Sequence, residues 1–214
     1  YEVLKDIIYS ECPKSLIIFA NTRDKVDEIY KKMKKDKFIL NEIHGDMSQD
    51  KRLFIIKDFK ENKFNILVSS DITSRGIHID DISLVINYDV PENKENYIHR
   101  IGRTGRVDKL GKAITMVFSR EEKYLNEIEN YTGNKIEEII QINEDDIKNG
   151  KEKFENLQKN LLKNKKPNKL EKNTNDEVTK IYLNVGKKKK IRVVDIVGAF
   201  SNVKGLTNED IGVI

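Results

Sequence analysis

A chain of 214 residues is long enough for one large domain, or for a medium domain with a smaller one attached. Hydrophobic residues make up 37% and charged residues 36%, which suits a globular core plus solvated sequence; no apolar run approaches the roughly 20 residues of a membrane-spanning helix. Net charge is only +4, the single cysteine, Cys12, excludes an internal disulfide framework and a cysteine zinc cluster, and the start lacks a signal peptide's charged-then-apolar order, so a cytoplasmic location is expected.

In chain order, residues 15–19 form a short apolar, β-branched run. Residues 23–33 then place Val26, Ile29, Tyr30 and Met33 on one helical stripe, with Thr22 positioned as its N-cap. A second strand is predicted over residues 38–40. After Ser48, a second potential cap, Leu53, Ile56 and Phe59 form the stripe of the next helix. Residues 65–68, 83–87 and 113–117 supply three further strands. Most of these runs are continuously apolar, as strands buried on both faces are, and helices alternate with them, so the pattern predicts an α/β domain with a parallel sheet flanked by helices. Ser119 and Glu122 have the spacing of a reciprocal capping box.

From residue 144 to 176 the pattern dissolves into Lys, Asn and Glu. Phe154, Leu157 and Leu161 keep helical spacing before Pro167, which reads as a frayed helix leading into a flexible linker. After Thr179, Ile181, Leu183 and Val185 alternate, residues 193–200 return to a helical period, and residues 211–214 end on a short apolar run. Such a β-α-β fragment buries too little apolar surface to stand alone, so an α+β fold there would be incomplete. The predicted division is residues 1–140, a linker over 141–178, and a second, partial domain over 179–214.

In an open parallel α/β sheet, ligands bind beyond the carboxyl ends of the strands. Polar, glycine-bearing segments fall there, at residues 19–22, 45–49 and 69–76. The most informative stretch is residues 97–106, Tyr-Ile-His-Arg-Ile-Gly-Arg-Thr-Gly-Arg. Arg100, Arg103 and Arg106 recur every three residues, and on a helix residues three apart share a face, so they would present a fan of guanidinium groups to one target. The planar fork of arginine suits phosphate, and Gly102 and Gly105 would allow close approach of backbone or ligand. The alternative is a basic helix end paired with the protein's own acidic surface. Lys187, Lys188, Lys189, Lys190 and Arg192, and Lys163 with Lys165 and Lys166, form basic clusters that either neutralise phosphates or line a solvated surface. His44, His78 and His99 lack cysteine partners and close pairing, and no metal ligands are expected.

Four segments in order resemble the DEAD-box RNA helicases. Residues 16–22 look like helicase motif IV, and residues 44–52 contain the Gln-x-x-Arg element as Gln49 and Arg52. Residues 70–76 look like motif V and residues 99–106 like motif VI; four such matches in order at domain-scale spacing exclude chance similarity. The resemblance implies a division of labour between two RecA-like domains, of which this chain holds the second. It carries no Gly-x-x-x-x-Gly-Lys-Ser/Thr loop, so the cradle for ATP and the magnesium carboxylates would belong to an N-terminal RecA-like domain of the same protein, and this half alone would be inactive. By the same resemblance Arg103 and Arg106 would reach the γ-phosphate as arginine fingers. His99 and Arg100 would link nucleotide state to the partner domain, and Asp71 would orient a motif VI arginine. Gly45, Gln49, Arg52, Ser70, Arg75 and Gly76 would support an RNA-backbone surface.

Motif V departs from the family pattern. Where Arg-Gly-x-Asp is usual, this chain has Arg75, Gly76, Ile77 and His78. The usual acid contacts the nucleotide ribose, and histidine does not supply its fixed charge; Asp80, two residues on, lies on the same side of an extended strand. Residues 180–192 resemble the C-terminal domain of the DbpA-like subgroup, which has an RNA-recognition-motif fold and anchors its enzymes to a hairpin of large-subunit ribosomal RNA. Tyr182 sits where a first-strand aromatic stacks on a base, or packs within the sheet, and Lys187 to Lys190 would meet phosphate. The expected activity is ATP-dependent unwinding of short RNA duplexes in ribosome assembly. A DNA helicase or translocase half and a non-catalytic RNA-binding adaptor are the alternatives.

Overall fold

The computed structural model describes residues 1–71, 79–105, 111–139 and 141–164. Five strands, β1 (Leu16–Ala20), β2 (Leu40–Ile43), β3 (Ile66–Ser70), β4 (Leu84–Asn87) and β5 (Lys112–Thr115), form one sheet in the order β2-β3-β1-β4-β5. Every pairing is parallel, as the alternating pattern predicted. Around them lie α1 (Glu2–Glu11), α2 (Arg23–Lys35), α3 (Gln49–Lys60), α4 (Lys94–Ile101), α5 (Glu122–Thr132) and α6 (Glu144–Asn164).

Successive side chains of a strand point to opposite faces, and β1 is buried along its whole length, so it feeds two cores. Leu16, Ile18 and Ala20 pack with Leu4 and Ile8 of α1 and with Val26, Ile29 and Met33 of α2. Ile17 and Phe19 pack on the other face with Ile55, Ile56 and Phe59 of α3. Each such Val, Leu, Ile, Met or Phe side chain contributes roughly 1.5–3 kcal/mol when fully buried. The Thr22 and Ser48 hydroxyls accept the Lys25 and Lys51 backbone N–H groups at 3.2 and 3.4 Å, so both caps form where expected. No helix among the described residues is long and apolar enough to cross a membrane.

Several local expectations need correction. The second strand lies at Leu40–Ile43 rather than residues 38–40, because this strand bonds to β3 alone and its half-exposed Asn41 and Glu42 break the apolar run. On α3, Leu53 is 52% exposed and Ile55 takes its place in the core. The last strand begins at Lys112 and ends at Thr115, leaving Val117 40% exposed. The capping contact before α5 is shifted by one residue, with the Glu121 carboxylate accepting the Phe118 N–H at 3.1 Å. Helix α1 was not anticipated; it ends on Cys12, whose φ of 44° is left-handed and whose N–H bonds the Ile8 carbonyl at 3.0 Å. Burial pushes the Cys12 thiol up, away from the reactive thiolate.

The largest difference is α6. Residues expected to fray toward a linker form a 21-residue helix against α1. Gly150 makes this approach possible, since a Cβ there would lie 1.8 Å from the Tyr9 carbonyl oxygen. Phe154 is 1% exposed and packs between Tyr9 and Phe38, with ring centroids 6.3 and 6.1 Å away. One turn later Gln158 is buried: its Oε1 accepts the Ile39 N–H at 2.5 Å and its Nε2 donates to Asn65 Oδ1 at 2.6 Å. This helix therefore ties the amino ends of β2 and β3 together.

Candidate functional site

The strand order reverses at β1. The chain leaves β1 for β2 and β3 on one side, then crosses to β4 on the other, which opens a crevice at the carboxyl end of β1. Segments after β1, β3 and β4 bring Asn21, Asp71 and Asp89 to this crevice. Arg100, near the end of α4, fills it.

Arg100 is 0% exposed. Its Nε and Nη2 donate to the two Asp71 carboxylate oxygens at 2.5 and 2.6 Å, a bidentate pair. Nη2 also donates to Asn21 Oδ1 at 2.7 Å. Nη1 donates to the Asp89 carbonyl at 3.2 Å and to Asn87 Oδ1 at 3.4 Å. The Phe19 ring lies 5.5 Å from the guanidinium carbon. All five donors of the group are thereby engaged. The expected fan of three arginines is thus corrected: Arg100 turns inward, because three strand ends offer it acceptors, and α4 stops at Ile101, so Arg103 no longer follows the helical spacing.

Asp89 is a second carboxylate beside one cation. Its Oδ1 accepts the Asn21 N–H at 2.8 Å and lies 4.0 Å from Arg100 Nη1. Burial pushes its pKa up to about 6 from 3.8, against the opposing pull of Arg100. Next to it, an open cleft of about 510 Å³ is lined by Lys25, Tyr88, Phe118, Ser119 and Arg120. Asn21, Asn87 and Asp89 completed a site that the sequence reading had drawn with Arg100 and Asp71 only. The available signal was their position directly after apolar strands, where this fold class gathers its polar groups.

Beyond α4 the arginine segment is strapped to the sheet. Ile82 N–H donates to the Arg103 carbonyl at 3.1 Å, and the Thr104 hydroxyl donates to the Ile82 carbonyl at 2.5 Å. Gly105 has φ 70°, the left-handed region, and a Cβ on Gly111 would lie 2.3 Å from the Gly105 nitrogen, so both glycines are needed for this crossing. Arg103 is held at the edge of the domain: its Nε donates to the His99 carbonyl at 3.2 Å and its Nη1 lies 3.6 Å from Asp80 Oδ1. The His99 side chain is exposed.

The expected RNA-facing residues come to the neighbouring strand ends. Gly45 is exposed in the turn after β2, Gln49 is the exposed first residue of α3, and Arg52 is half-buried one turn on. Ser70 closes β3 and is 4% exposed, so it offers the site backbone more than hydroxyl surface. Arg23, at the start of α2, pairs with Asp46 across this turn. Arg75, Gly76, His78, Arg106, Tyr182, Lys187, Lys188, Lys189, Lys190 and Arg192 lie outside the described residues.

Residues 1–108 match the helicase conserved C-terminal domain family, and residues 180–214 match the DbpA RNA binding domain. The chain is 39% identical over its full length to the ATP-dependent RNA helicase DbpA of Bacillus subtilis, and spans 44% of that protein. Over 65% of the chain it is 44% identical to the ATP-dependent RNA helicase eIF4A of Saccharomyces cerevisiae, of which it spans 35%. Among solved structures, a DEAD box protein from the hyperthermophile Methanococcus jannaschii superposes with a TM-score of 0.61 at 39% identity, covering 64% of this chain and 38% of that one. The C-terminal domain of the DEAD-box protein Dbp5 gives 0.57 at 33% identity, covering 62% of this chain and 77% of that one. The chain thus spans less than half the length of these curated relatives. A parallel sheet with an arginine segment mounted over its switch point, matched to these relatives in sequence and in structure, means that this chain belongs to the DEAD-box RNA helicases, as their RecA-like C-terminal domain followed by a DbpA-type RNA binding domain.

Proposed function

We propose that this chain is the arginine-bearing half of an ATP-driven motor that separates short RNA duplexes, working with an N-terminal RecA-like domain of the same protein. One observation carries the reading: the crevice where an open α/β sheet binds ligands is filled by Arg100, so the segment after it acts outward, on a nucleotide held elsewhere. Arg100 is then a positioning residue. With its five donors engaged inside, it fixes the direction in which Arg103 and Arg106 leave the domain.

Arg103 fits a phosphate oxygen. Its charge is permanent and its stem is pinned by the His99 carbonyl, so little freedom is lost on binding. As charge spreads over the transferred phosphoryl oxygens, Arg103 and Arg106 would stabilise it, a contribution worth about 10³–10⁵ in rate. Bound Mg²⁺ supplies further neutralisation of the phosphates. Among the described residues at this crevice, Asp71 is paired with Arg100 and Asp80 with Arg103, which does not suit that ion, and the magnesium carboxylates would belong to the other domain. His99, exposed on the same turn, would sense closure of the two domains.

Gly45, Gln49, Arg52 and Ser70, joined by Arg75, would meet the RNA backbone, which makes the motor nearly sequence-blind. Gly76, His78 and Asp80 would border the ribose. Residues 180–214, through Tyr182 and the basic run Lys187 to Lys190 with Arg192, would hold the enzyme against large-subunit ribosomal RNA during ribosome assembly in the cytoplasm; the match to a DbpA RNA binding domain supports this.

In the full-length protein, Arg103→Ala and Arg106→Ala should each lower RNA-stimulated ATPase turnover by about 10³ or more. Unchanged turnover in both would remove them from the reaction. Deleting residues 180–214 should keep stimulation by generic RNA and erase preference for ribosomal RNA fragments; a preserved preference would refute the targeting role.

A further inference from the structure

Away from the arginine segment, a second polar cluster joins α2 to β2. Leu40 of β2 shares a core with Val26 of α2. Alternate residues of an extended strand lie on one face, so Glu42 and His44 follow Leu40 toward α2, where Asp27 is the neighbour of Val26. One ligand atom from each of Asp27, Glu42 and His44 lies within 4.8 Å of the others. The Asp27 Oδ1, Glu42 Oε2 and His44 Nδ1 atoms are all buried without a hydrogen-bond partner. Buried polar atoms are almost always partnered, and unpartnered atoms on three neighbouring residues require an explanation.

The individual groups point inward. His44 is 8% exposed, and its Nε2 faces Asp27 Oδ1 at 3.9 Å. Asp27 presents its other oxygen to Arg23, 3.9 Å away, which leaves Oδ1 for the cluster. No metal ligand is expected at His44 from sequence; in the fold its Nδ1 is buried without a hydrogen-bond partner.

We propose that Asp27, Glu42 and His44 form a binding site for a divalent transition-metal ion, best matched by Zn²⁺. Two carboxylate oxygens and one imidazole nitrogen make a borderline-hard donor set, with bonds of about 2.0–2.2 Å and a fourth position left for water. Ligand atoms around such an ion stand roughly 3.3 Å apart, so the present cluster is gathered but wider than its metal-bound form. Contraction would clamp β2 to α2 immediately before the turn that leads to Gln49 and Arg52. The site does not depend on the helicase reading, and it differs from the Mg²⁺ that accompanies ATP.

The test uses the full chain, stripped with chelator and titrated with Zn²⁺ while thermal unfolding is followed. At a hundredfold excess over Kd, Tm should rise by roughly 5–10 °C. Glu42→Gln, which keeps the side chain's size, and His44→Gln should both lose the rise. Co²⁺ should produce the visible absorption of a low-coordinate imidazole–carboxylate site in the parent chain and not in Glu42→Gln, which decides the matter even if His44→Gln misfolds. An equal rise in Glu42→Gln would place the ion elsewhere and overturn the proposal; no rise in the parent would overturn it too and leave a proton shared between Asp27 and Glu42 as the occupant.

Discussion

Replacing Asp89 by asparagine should stabilise the domain at neutral pH and leave it nearly unchanged in acid. Arg100 supplies one positive charge, and Asp71 takes it with both oxygens. Asp89 is left with one N–H from Asn21 and a guanidinium 4.0 Å away, in a position that is 8% exposed. Its pKa rises from 3.8 to about 6, so the folded state favours the protonated acid. For a group raised in this way, the stabilising contribution is complete below the unfolded value and disappears as pH climbs through the folded one. A shift of about two units corresponds to about 3 kcal/mol of stability lost between roughly pH 4 and pH 7. Asparagine keeps the acceptor for Asn21 and never ionises. Urea unfolding of both proteins, followed by circular dichroism across that range, should show a gap that opens from near zero in acid to about 3 kcal/mol at neutrality, with the variant more stable. A gap of the opposite sign at neutral pH would mean that Asp89 neutralises Arg100, and the argument from one cation and two carboxylates would fail.

Two other substitutions probe the packing. Arg100→Met removes the buried cation and leaves the half-buried Asp71 without it, which should cost about 3 kcal/mol in the same unfolding assay; a loss below about 1 kcal/mol would show that the network closes without it. Gly150→Ala should raise stability by about 1 kcal/mol on helix propensity alone. The 1.8 Å approach to the Tyr9 carbonyl predicts the reverse, a lower Tm, and a higher one would mean that α6 does not rest on α1 as described.

The central strands were legible because burial on both faces leaves an unbroken apolar run, as in residues 16–20 and 66–68. The edge strand was misplaced because Asn41 and Glu42 answer to solvent and to α2 rather than to the core. On α3, Leu53 and Ile55 both fit an apolar stripe, and only the position of the sheet decides between them. Segment 99–106 announced itself by composition, yet the fate of Arg100 depended on acceptors 11, 13, 29 and 79 residues away in the chain. Periodicity does not carry such information. Gln158 was invisible for the same reason, since a glutamine among lysines and asparagines reads as surface until Ile39 and Asn65 are brought to it.

That glutamine has a consequence for how the domain comes into being. Its partners lie 119 and 93 residues earlier, so the amino edge of the sheet stays unfinished until nearly the whole domain has left the ribosome. Loops of that length close slowly, and contacts made across them set the pace of folding more than the final stability. A version ended near residue 140, where the α/β pattern fades, would keep every described strand and all of the described arginine segment, yet expose the faces of Tyr9 and Phe38 that Phe154 covers. The stretch that identifies the family ends at residue 108; the stretch that must be synthesised before the core can close extends about fifty residues further.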